Sequence, residues 1–227
     1  MQAAAQKGYK GAGMEGRTAR WYARTRQNEM EDFRKQAKRV AERLRKGCDV
    51  LEVAPGPGYF AVELAKLGNF RITGLDISKT FVEISTENAR KAGVKIDFRP
   101  GNVSAMPFAD ESIDVVYCSA AFKNFTEPVK ALNEMHRVLR PDGEALISDL
   151  RKDVSLQEID SYVRASGRSW FDAWLTKMAF KHMLIRRAYT KEDFERMAKE
   201  SKFGASEIET SSISIDVNLK KKTVTST

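Results

Sequence analysis

This 227-residue chain has only two cysteines and two histidines, few groups for disulfide or zinc chemistry. Cys48 and Cys118 are isolated, without ligand spacing, and Cys118 falls in an apolar strand pattern, so both read as structural thiols. His136 and His182 are equally scattered, and no metal constellation is visible. No apolar run approaches the roughly 18 residues that a membrane span needs. The opening Met1-Gln2-Ala3-Ala4-Ala5-Gln6-Lys7-Gly8 lacks the apolar core of a signal peptide, and the expected location is the cytoplasm.

What is present is an ordinary soluble composition, 42% hydrophobic and 31% charged, long enough for one domain with a substantial core. The net charge of +8 is unevenly spread. Residues 1–47 and 151–188 are basic, whereas 48–150 carry more acids than bases. This divides the chain into an amino-terminal helical arm and cap over 1–47 and a core over 48–227, with a lid insertion over 151–188.

The core opens with Val50-Leu51-Glu52-Val53-Ala54-Pro55-Gly56-Pro57-Gly58-Tyr59-Phe60. An apolar run over Asp49–Val53 predicts a buried strand, and Tyr59–Leu67 has the spacing of a helix packed on a sheet. The glycines therefore occupy a strand-to-helix turn, where the missing Cβ lets a ligand approach the backbone. Asp76 ends a second apolar strand, Ile72–Asp76; in a βαβ unit its carboxylate lies beside the first turn and can accept from ribose hydroxyls. Gly56 to Ala61 also satisfies the G-x-G-x-x-A dinucleotide pattern, a weak signal alone. Glu52 separates the two readings. A carboxylate just below the loop can receive the ammonium of a methionine moiety, which favours S-adenosylmethionine over a dinucleotide; the bland alternative is an acid that caps loop amides.

From about Asp49 to Leu150 the chain resembles the class I S-adenosylmethionine-dependent methyltransferases, in the group that includes the ubiquinone and menaquinone C-methyltransferases. The resemblance rests on Leu51 to Gly58, Gly74-Leu75-Asp76-Ile77-Ser78, Gly101 to Phe108, Ser112 to Val116, and Ala131 to Gly143. Ala54 stands where the family usually has its first loop glycine, and Asn102 where it usually has aspartate; asparagine can still accept from an adenine amino group through its carbonyl oxygen. The family implies an α/β, Rossmann-like seven-stranded sheet, mostly parallel with an antiparallel last strand, and helices on both faces. It implies S-adenosylmethionine contacts at Tyr22, Glu52, Ala54, Pro55, Gly56, Gly58, Asp76, Ile77, Asn102, Val103 and Ser119. Both basic segments are then expected to cover the cofactor and form the acceptor cavity, which suits an anionic acceptor.

Arg17–Lys46 predicts one or two helices, with Phe33, Ala37, Val40, Ala41 and Leu44 on one stripe. The loop Ala120–Pro128 leaves the carboxyl end of the fourth strand, Ile113–Ser119, the edge where open α/β sheets place their chemistry. There Phe122 or Phe125 is expected to stack on a substrate or on adenine, and Lys123 to pair with an acidic group of the substrate, with ordinary loop packing as the alternative for each. The loop resembles the corresponding segment of the quinone methyltransferases and lacks the Pro-Pro-aromatic motif common in base methyltransferases. In the lid, helices are expected over Leu156–Ala165 and Ser169–Leu184, with Trp170 and Trp174 facing the acceptor. His182 is the candidate general base, since free histidine titrates near pH ~6.5, while His136 is read as structural.

The leading expectation is a methyltransferase acting on a small aromatic or apolar molecule. The alternatives are RNA methylation, for which the basic arm is the motive, a non-catalytic S-adenosylmethionine-binding regulator, and a nicotinamide-dependent reductase. The sequence is silent on the acceptor atom and on oligomeric state.

Overall fold

The computed structural model describes residues 8–10, 13–165 and 185–223. Its centre is a seven-stranded sheet: β1 (Asp49–Val53), β2 (Arg71–Asp76), β3 (Asp97–Pro100), β4 (Ile113–Ser119), β5 (Leu139–Leu150), β6 (Glu207–Thr210) and β7 (Ser214–Lys220). The order is β3-β2-β1-β4-β5-β7-β6. The first five strands are parallel, and β7 runs antiparallel to both β5 and β6. The expected fold class is therefore found.

Helices cover both faces because β1 alternates its side chains between them. Val50 joins Ile72, Tyr117 and Phe60 in one cluster, whereas Leu51 and Val53 join Leu75, Val116 and Ile147 in the other. The first cluster is closed by α2 (Met30–Ala41), α3 (Tyr59–Ala65) and α4 (Lys79–Ala92), through residues such as Ala37, Val40, Leu64 and Ala89. The predicted stripe of Phe33, Ala37, Val40, Ala41 and Leu44 all lies here. The second cluster is closed by α5 (Pro128–Val138) and α7 (Lys191–Glu200), through Leu132, Met135, Phe194 and Met197. A capping box at Thr190 and Asp193 starts α7, an arrangement worth about 1 kcal/mol.

Two helices sit at the edges of this plan. α1 (Gly16–Arg26) leads by a short 3-10 turn into α2, and α6 (Leu156–Ala165) follows β5 over the predicted range. The expected second lid helix, with Trp170, Trp174 and His182, lies outside the described residues. Among the described residues, no helix is long and apolar enough to cross a membrane.

The junction of α5 and β5 is abrupt. The helix ends at Val138, because Leu139 already pairs with Ile113. The register then slips, and the ladder resumes with Val115 opposite Glu144. Asp142 takes up the slack at φ 62°, and Gly143 is needed because a Cβ there would lie 2.9 Å from the carbonyl oxygens of Arg140 and Asp114.

Candidate functional site

Strand order reverses between β1 and β4, so the crevice at their carboxyl ends is the natural ligand position. The loop from Ala54 to Gly58 forms its floor. Ala54, Gly56 and Gly58 all have positive φ, at 55°, 54° and 75°. The two glycines answer different demands. A Cβ on Gly56 would meet open space, which leaves its backbone accessible to a ligand. A Cβ on Gly58 would lie 2.7 Å from Ser85 Cβ and 2.9 Å from the Phe98 ring, so Gly58 lets α3 start in close contact with α4 and β3.

Two buried carboxylates flank this loop. Asp76 accepts from the Gly56 N–H on Oδ2 and from the Ser78 N–H on Oδ1, each at 2.9 Å. Burial pushes its pKa up to about 6 against those hydrogen bonds. Glu52 is more isolated. It accepts from the Ala61 N–H, and its Oε2 has no hydrogen-bond partner among the described residues. Burial, with the Asp76 charge adding to it, raises its pKa to about 8. A buried carboxylate oxygen without a donor costs free energy, and a cationic ligand removes that cost. The capping reading of Glu52 thus accounts for only one of its oxygens.

Other expected cofactor contacts surround the same crevice. Ile77, just beyond Asp76, is an exposed apolar side chain at 45% of its full accessibility. Asn102 Oδ1 accepts from the Ser104 N–H at 2.9 Å, and the Val103 side chain is buried beneath it in the core. Ser119 ends β4, half-buried, with its hydroxyl on that of Tyr117. Tyr22 comes from α1, edge-on to Phe81 at 5.9 Å, and its phenol feels the charges of Arg26, Glu29 and Asp76. Arg20 and Arg24 on the same helix are exposed.

The two acceptor contacts expected on the β4 loop are placed elsewhere. Phe122 is wholly buried and packs against Phe125, Tyr189 and Phe194, so it belongs to the core and presents no face to a ligand. Lys123 does pair with an acid, but that acid is internal. Its ammonium donates to Asp149 Oδ1 at 2.7 Å and to the Ala120 carbonyl at 2.6 Å, and its N–H donates to Asp149 Oδ2 at 2.9 Å. Both side chains are almost fully buried, which pins the loop to the end of β5. His136 sits edge-on against Phe203 at 5.0 Å, as a structural histidine would. No group of three metal-binding side chains occurs among the described residues.

Sequence reasoning missed the residues that close the crevice. Gly8 to Lys10 lie along the β4 loop: Lys10 N–H donates to the Asn124 carbonyl at 2.7 Å, and Tyr9 bridges Phe125. Gly8 rests directly on the Asn102 amide, where a Cβ would come within 2.7–2.8 Å. Further on, Glu15 accepts from the Lys79 and Thr80 N–H groups, and the Met14 carbonyl accepts from Ser78 Oγ. The arm is thereby tied beside both Asn102 and Asp76. The ties at Gly8 to Lys10 run through the main chain, and those at Met14 and Glu15 through Ser78 Oγ and the Glu15 carboxylate, whose partners are far away in sequence.

The strand order and the glycine turn define a Rossmann-like fold with two buried carboxylates, Glu52 and Asp76, at its switch point. Residues 51–147 match the model of a family described as a methyltransferase domain. Demethylmenaquinone methyltransferase of Chlorobaculum parvum is 39% identical over 98 residues, 43% of this chain and 39% of that protein. The ubiquinone/menaquinone biosynthesis C-methyltransferase of Haemophilus ducreyi is 32% identical over 115 residues, 49% of this chain and 44% of that one. The alignments thus span less than half the length of these curated relatives. A putative S-adenosylmethionine-dependent methyltransferase from Methanococcus maripaludis has the same fold, with TM-score 0.72, 18% identity, and coverage of 94% of this chain and 96% of that one. The family match is thus to a methyltransferase domain over residues 51–147, and the likeness to the Methanococcus maripaludis protein is one of fold.

Proposed function

We propose that the protein is an S-adenosylmethionine-dependent methyltransferase acting on a small aromatic or apolar acceptor, of the kind that the quinone methyltransferases' names indicate. The observation that carries this reading is the Glu52 carboxylate, buried beside a glycine loop and Asp76 with no partner for Oε2 among the described residues. A dinucleotide offers no ammonium to that oxygen, whereas the methionine part of S-adenosylmethionine does.

Bound there, the cofactor supplies a methyl group on a sulfonium, ready for in-line displacement. The chain's own residues then have few tasks. Glu52 receives the ammonium, Asp76 the ribose hydroxyls, and the Gly56 turn admits the ligand to the backbone. Ile77 and Asn102 flank the adenine, and the Gly8–Lys10 arm excludes water from above. Alignment and exclusion of water are the main contributions such a transfer needs from its enzyme.

The test is transfer of a labelled methyl group from S-adenosylmethionine to phenols, quinols and thiols, with RNA in parallel. Label in a small aromatic product supports the reading. Label only in RNA, with binding that weakens steeply with salt, replaces it with the nucleic-acid reading.

A further inference from the structure

Beyond the cofactor crevice stand two cations that meet no carboxylate among the described residues. Lys10 Nζ donates to the Tyr189 hydroxyl at 2.7 Å and lies 5.0 Å from the centre of that ring. Arg187 donates from Nη1 to the Lys10 carbonyl at 2.8 Å, which leaves the rest of its planar donor fork available. Both are half-buried. Neighbouring cations are not in this state: Lys123 is neutralised by Asp149, and Arg151 by Glu158 at 2.7 Å.

The position of the pair is as informative as its charge. Lys10 is hydrogen-bonded to the β4 loop at Asn124, and Tyr189 packs on Phe122 of that same loop, at the carboxyl edge of the sheet. Tyr9 is next to Lys10, and its phenol lies within electrostatic reach of Arg187, Tyr22 and Asp76. Burial holds that phenol protonated well above neutral pH, so it is available as a hydrogen-bond donor.

The crevice is therefore bipolar, with Glu52 and Asp76 at one end and Lys10 and Arg187 at the other. The sulfonium and ammonium of the methyl donor belong at the acidic end. Two anions remain for the basic end, the donor's own carboxylate and one on the acceptor, and titration of the cofactor-saturated protein separates them. We propose that the acceptor is an aromatic carboxylate, and that Arg187 and Lys10 hold its carboxylate while Tyr9 borders the path to the transferred methyl group. A guanidinium fork matches a carboxylate in geometry as well as in charge. This inference rests on the methyltransferase reading above.

The experiment is calorimetric titration of the full chain saturated with S-adenosylhomocysteine, using 1-hydroxy-2-naphthoate and its uncharged amide as probes. The expected result is at least about tenfold tighter binding of the carboxylate, roughly 1.4 kcal/mol. Arg187→Gln and Lys10→Met should each reduce that advantage while the folded variants still bind S-adenosylhomocysteine. Equal affinity for the two probes, binding of neither, or an advantage that survives both substitutions overturns the proposal and leaves the methyltransferase reading standing. Failure of the wild-type protein to bind S-adenosylhomocysteine removes that reading, and this inference with it.

Discussion

Asp76 makes Glu52 a weaker acid: the two carboxylates lie near the ends of neighbouring parallel strands, both buried, and the charge of one adds to the burial of the other. Without a cation between them they hold protons far above the usual carboxylate range. With one they need not.

Cofactor binding is accordingly expected to depend on pH in a definite direction. An ammonium favours ionised Glu52, whose pKa in the free protein is about 8. Affinity for S-adenosylhomocysteine should rise as pH increases from 6 toward 8 and level off above it, with a proton released on binding at neutral pH. Titration calorimetry in buffers of different ionisation enthalpy measures that proton directly.

The same shift affects stability with the opposite trend. Folded Glu52 keeps its proton to about pH 8, whereas the ordinary value is 4.5. Between those limits the native state binds more protons than the unfolded one, so this group's contribution to stability falls as pH rises from about 4.5 to 8. Glu52→Gln removes the penalty while keeping the shape. The ligand-free variant should melt at a higher temperature than wild type at pH 8 and near the wild-type temperature at pH 5. Differential scanning calorimetry at the two values decides it.

Lys123 and Asp149 offer a test of a purely structural role. Removing one member of a buried pair leaves the other uncompensated, at a cost of about 3–5 kcal/mol. Lys123→Met should lose stability on that scale, and Lys123→Met combined with Asp149→Leu should recover much of it. Urea unfolding of the two variants is the measurement, and equal losses in both would contradict the pairing.

The positive-φ positions of the glycine loop should respond in opposite ways. Ala54 holds a left-handed conformation that costs an L-residue about 1–2 kcal/mol, so Ala54→Gly should fold at least as well as wild type and bind cofactor. Gly58→Ala puts a Cβ within 3 Å of Ser85 and Phe98 and should destabilise by about 2 kcal/mol or more. Thermal melts of both variants check the pair of outcomes.

The sheet, the loop and both acids were legible because each has a local pattern: an apolar run, glycines at a turn, a carboxylate at a strand end. Phe122 and Lys123 were misjudged for a different reason. An aromatic and a cation on a loop at the ligand edge look like acceptor contacts until their partners are known. Those partners, Asp149 on β5 and Phe194 on α7, come from distant parts of the chain. The segment charges pointed to the arm and to residues 151–188 as site walls, but they could not single out Lys10 and Arg187. What distinguishes those two is the lack of an acidic neighbour among the described residues, which no spacing along the chain encodes.

The central claim is that Glu52 receives the cofactor's ammonium. Titration of wild type and Glu52→Gln with S-adenosylhomocysteine, and of wild type with NADH, tests it most directly. The account predicts micromolar binding to wild type, about 10–100-fold weaker binding to the variant, as loss of a charge-assisted hydrogen bond implies, and no binding of NADH. Binding of NADH alone, or S-adenosylhomocysteine affinity unchanged by the substitution, would contradict it.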